Sequence, residues 1–162
     1  MPARPGVKLP PIGGRRGLNE NYGRELMELH TLGVDGGYTQ QDVIEVARAF
    51  TGWTIESPRE HPQFYFDERL HDPDPKRVLG KKIKAGGIKD GEQVLDLLAK
   101  DKHTAQHISL QLAQHFVSDD PPAALVARMA KTFDKSKGDI RAVMTTMIYS
   151  PELFISTSTP VN

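Results

Sequence analysis

Apolar residues recur along most of this chain at three- and four-residue steps, a period that predicts a mainly α-helical protein. The clearest stretch is residues 19–53. Tyr22, Leu26 and Leu29 form one stripe behind a cap at Asn19 or Asn21, and Gly33 supplies the left-handed residue that ends such a helix. Val34 to Tyr38, with Gly36 and Gly37 adjacent, reads as a turn. Thr39-Gln40-Gln41-Asp42 has the form of a capping box, and it opens a second helix with Val43, Val46, Ala47, Phe50 and Trp53 apolar. Two helices joined by a Gly-rich turn make a helical hairpin.

Beyond it the period changes. Pro58 breaks the helix, and the aromatic run Phe64 to Arg69 reads as a short strand. His71 to Pro75 is a turn. Arg77 to Ile83 reads as the return strand of one small antiparallel β-hairpin, ended by Ala85-Gly86-Gly87. Helical spacing then resumes. Asp90 is placed to cap a helix through Lys100, with Val94, Leu95, Leu97 and Leu98 apolar. Residues 103–117 form another helix along Ile108, Leu112 and Phe116. Asp119-Asp120-Pro121-Pro122 starts one that runs to about Phe133. Asp139 opens the last, with Val143, Met144 and Met147, and Ser150-Pro151 stops it. The expected fold is about six helices around the leading hairpin, with one β-hairpin inserted. Residues 1–18 read as a lead-in, 19–154 as the folded region and 155–162 as a frayed tail.

Composition narrows the function classes. With 162 residues, one domain with its own core is the default. Hydrophobic residues are 38%, and mean hydropathy is negative, which suits a region that buries a face against further polypeptide or carries long polar loops. Lysine plus arginine equals aspartate plus glutamate at 21 each, so charge gives no reason to expect nucleic acid as partner. The absence of cysteine removes disulfides, thiolate metal sites and cysteine nucleophiles. No apolar run has the length of a membrane span, and the first residues lack the apolar core of a signal peptide.

The run Asn19-Glu20-Asn21-Tyr22 with Arg24 to Val34, then Gly37-Tyr38-Thr39, Asp42-Val43, Ala47-Arg48-Ala49 and Thr51-Gly52-Trp53, resembles the signature of a large bacterial family. That family is known as domain of unknown function 1800. His71-Asp72 with Lys76 and Leu79-Gly80 resembles it too, as does His103 through Phe116-Val117 with Asp119, Pro121 and Pro122. The resemblance spans Leu18 to about Phe154. It implies a C-terminal portion of a longer helical protein, whose other half would then be a partner, and relatives that are exported. It implies no activity.

Candidate chemistry is sparse. Glu25, Glu28 and His30 include metal-ligating residue types. Successive helical residues turn by about 100°, however, so His30 sits roughly 140° from Glu25 and cannot join it from one regular helix. The ordinary reading is that Arg24 pairs with Glu20 or Glu28. Asp35-Gly36-Gly37 is no calcium loop, because Val46 stands at the twelfth position where a bidentate glutamate belongs. His71-Asp72 could act as a base and its orienter, or bind a divalent metal with Glu25 or Glu28. The ordinary alternative is that Asp72 starts a turn before Pro73 and His71 packs beside an aromatic ring. His103 and His107 have the spacing of zinc proteases, but Thr104 occupies the place of the catalytic glutamate. No nucleophile elbow or phosphate loop occurs.

Three functions compete on these grounds: a binding or scaffold module, a metal-dependent hydrolase-like enzyme using Glu25, Glu28, His71 and Asp72, and a structural cap on a longer domain. The enzyme requires His71 and Asp72 beside Glu25 or Glu28. The binding module requires an exposed apolar face, with Phe64 and Phe66 as candidates.

Overall fold

A computed structural model describes residues 17–56 and 62–156. The chain is mainly α-helical, with seven helices among the described residues and two short antiparallel ribbons. Helices α1 (Glu20–Glu28) and α2 (Gln40–Ala49) form the leading hairpin. Asn19 caps α1 by accepting from the Tyr22 N–H at 3.1 Å. Thr39 and Asp42 close a reciprocal capping box on α2, with Asp42 Oδ2 2.8 Å from the Thr39 nitrogen.

Trp53 does not belong to α2. The helix ends at Ala49, and Gly52, at φ 84°, turns the chain into strand β1 (Trp53–Glu56). A Cβ at Gly52 would lie 2.7 Å from the Asp67 carbonyl oxygen, so the reversal is possible only with glycine. β1 pairs with β2 (Gln63–Phe66) in the register Trp53 to Phe66 and Ile55 to Phe64. The aromatic run therefore pairs backward with β1 and not forward with residues 77–83. A 3₁₀ turn (Glu68–Leu70) follows. Residues 76–83 fold on themselves as β3 (Lys76–Val78) and β4 (Lys81–Ile83). Their turn is Leu79-Gly80, with φ of 49° and 73°. A leucine there is costly. It is held because its N–H donates to Asp42 Oδ1 at 2.7 Å and its side chain packs on the core.

The second half is helical: α3 (Ile88–Ala99), α4 (Lys102–Phe116), α5 (Ala123–Ser136), α6 (Ile140–Ile148) and α7 (Pro151–Ser156). Asp101 and Asp139 cap α4 and α6 through their side chains. Asp90 does not cap α3. It lies inside the first turn and is buried, and Gly87 occupies the cap. Pro151 begins α7 where the sequence suggests a stop, because a proline at the first helical position loses no hydrogen bond. The break expected at Pro58 and most of the expected lead-in and tail lie outside the described residues.

Two apolar cores share no residue. One joins α1, α2, β3, β4 and α3 around Met27, Val43, Val46, Val78, Val94 and Leu98. The other joins α4, α5 and α6 around Ala113, Leu125, Met129, Phe133, Val143 and Met147.

Candidate functional site

Charged groups converge where the loop of residues 71–78 crosses α2 and α3. Asp90 is 1% exposed and Lys76 2%. Nothing that polar remains buried without partners. Lys76 Nζ donates to Asp90 Oδ2 at 2.8 Å, to the Asp74 carbonyl at 2.9 Å and to the Asp72 carbonyl. The second Asp90 oxygen accepts from the Gly86 N–H at 2.7 Å. His71 is packed between them: Nδ1 donates to the Thr51 carbonyl at 2.8 Å, and Nε2 faces Asp90 Oδ2 at 3.2 Å. The ring also sits edge-on to Phe66, with centroids 5.4 Å apart.

The outer layer is built on α2. Arg48 grips Asp72 through two nitrogens, Nε at 2.7 Å and Nη2 at 3.2 Å, the forked geometry that suits guanidinium to carboxylate. Its remaining nitrogen donates to Glu45 at 2.9 Å. Glu45 in turn accepts from the Arg77 N–H at 3.0 Å. Burial pushes the Asp72 carboxyl up, but the Arg48 hydrogen bonds, the Asp74 N–H and the charges of Arg48 and Lys76 outweigh it, so Asp72 ionises below the usual carboxylate range. The Arg48 guanidinium is held still more firmly protonated, by the Asp72 hydrogen bonds against burial and with help from Glu45. Two helices and a loop are thus tied by alternating charges.

The expected site residues do not all meet here. Asp72 and His71 belong to the network. Glu28 lies on α1, 3.4 Å from the Tyr38 hydroxyl, which burial and the neighbouring Glu28 charge make harder to ionise. Glu25 is exposed on α1. Among the described residues, neither glutamate bonds to His71 or Asp72, whose side chains meet Thr51, Arg48, Asp74 and Asp90. His103 bonds its own helix cap, Asp101, at 2.8 Å, while His107 reaches back to the Leu29 carbonyl at 3.1 Å. The two histidines face different partners. Among the described residues no three His, Asp or Glu side chains are arranged to hold a metal ion.

Arg48, Glu45, Lys76 and Asp90 escaped sequence reasoning as site residues. Arg48 and Glu45 look like an ordinary i, i+3 surface pair, and Asp90 mimics a helix cap. Only Lys76, which with Arg77 follows a run of aspartates and prolines, carried a usable signal.

Beside the network stands the β1–β2 ribbon. On one of its faces, Trp53 and Phe66 anchor the base. A Cβ on Gly91 of α3 would lie 2.6 Å from Trp53 Cζ2, and Phe66 lies against His71 and Gly87. Farther along the same face, the cross-strand pair Ile55 and Phe64 is 55% and 57% exposed. This arrangement defines a small helical domain that fixes an apolar ribbon with a buried charge network.

The chain matches the model of the family described as Protein of unknown function (DUF1800) over residues 3–161, and it belongs to that family. No curated protein and no solved structure matches it. Among the described residues no helix is long and apolar enough to cross a membrane.

Proposed function

We propose that this region is a binding or scaffold module, and that the Ile55–Phe64 end of the ribbon docks on a helical segment of the longer polypeptide to which such a region belongs. The observation that carries the reading is this cross-strand apolar pair, more than half exposed and rigidly based on Trp53 and Phe66. Covering what remains exposed of two such side chains contributes roughly 1–1.5 kcal/mol each, enough to make the ribbon an anchor. The charged residues support binding rather than hydrolysis. Asp72 is held by Arg48 and the Asp74 N–H, Asp90 by Lys76 and the Gly86 N–H, and the His71 ring is buried against Thr51 and Asp90, an arrangement that ties elements together.

Photo-crosslinking in the protein as its own gene encodes it tests this. A benzophenone side chain at position 64 is expected to give an adduct with a helical segment of the same polypeptide, whereas one at the exposed Asp96 gives none. A position-64 adduct only with another protein would move the partner elsewhere. The same absence of adduct at both positions would end the proposal.

A further inference from the structure

The two cores share no side chain, yet one bond pattern spans them far from the covalent junction. Leu29 is the C-terminal cap of α1, and its carbonyl has no partner within the helix. His107, on α4, donates from Nε2 to that carbonyl at 3.1 Å, and Gln111 Nε2 reaches it at 3.5 Å. The imidazole packs against Gly33, where a Cβ would stand 2.8 Å from Nδ1 and 3.3 Å from Cγ. A further tie among the described residues is the elbow between α3 and α4, where Thr104 Oγ1 donates to the Leu98 carbonyl at 2.7 Å.

We propose that His107, seated on Gly33 and bonded to Leu29, is a clasp that couples two separately cored lobes, residues 17–99 and 102–153, into one cooperative unit. Gly33 has two duties in this account. Its φ of 81° ends the α1 turn, and its missing side chain admits the ring. Gly37, in the turn before α2, shares only the positive φ: it is 74°, and nothing lies within 4 Å of a Cβ placed there. The two glycines therefore separate backbone strain from loss of the clasp.

Trp53, the single tryptophan, reports the first lobe alone, while far-ultraviolet ellipticity reports the helices of both. In urea the two signals are expected to change together in the parent chain and in Gly37→Ala. In Gly33→Ala and His107→Ala their midpoints are expected to part by roughly 0.5 M. His107→Gln, which keeps a donor, should restore part of the coincidence. Midpoints that stay together in Gly33→Ala and His107→Ala would overturn the clasp. So would midpoints already apart in the parent chain, or parted equally by Gly37→Ala.

Discussion

At the scale of single residues, burial decides what a charge is worth. Lys76 and Asp90 are both almost wholly buried, so removing one partner strands the other. Lys76→Met should cost about 3–5 kcal/mol in urea unfolding. Lys100→Ala, which breaks a pair whose side chains are 75% and 76% exposed, should change stability by less than about 0.5 kcal/mol. Equal losses would mean that the network contributes little. Asp72 adds a pH dependence. Its folded carboxyl ionises below the unfolded range, so its contribution is complete above about pH 4 and is lost as pH falls through the lowered folded value. Asp72→Asn should therefore flatten the acid limb of the stability curve measured by urea titration. An unchanged limb would show that Asp72 does not contribute to it.

Between elements, glycines set the distances of approach. Gly91 lets α3 close on Trp53, and a methyl group there would have to displace the indole. Gly91→Ala should destabilise by roughly 1–3 kcal/mol and shift the emission of Trp53, since overpacking moves the ring toward water. A stable variant with unchanged emission would show that the ribbon yields at no cost. The same elements mark the limit of sequence reading. The capping box Thr39 to Asp42 was legible because its partners are three residues apart. The pairing of β2 was not, because aromatic residues favour strands without naming a neighbour, and Gly52, which returns the chain to β1, looked like the end of a helix. Leu79-Gly80 was hidden for a different reason. A leucine at positive φ is disfavoured locally, and only Asp42 and the core hold it.

For the whole molecule, the distinguishing measurement is a thermal melt of the chain with chelator and then with zinc, manganese or calcium. A metal bound only by the folded form would raise stability by about 2.7 kcal/mol at a hundred times its dissociation constant. A single cooperative transition indifferent to all three is expected, because the described His, Asp and Glu side chains form no set of three ligands. A rise with one metal would return Glu25, Glu28, His71 and Asp72 to consideration. Two lobes melting apart would instead count against the clasp at His107.

Helical periodicity, caps at Asn19, Thr39 and Asp139, and the family signature are local properties of the chain, and the sequence by itself determined them. Each depends on residues within one or two turns, where spacing alone brings groups together. The tertiary structure decided which charges meet. Arg48 finds Asp72 across 24 residues, Lys76 finds Asp90 across 14, and His107 finds the end of α1 across 78. No period encodes such distances. Burial makes these pairings strong, and burial exists only once the helices have packed.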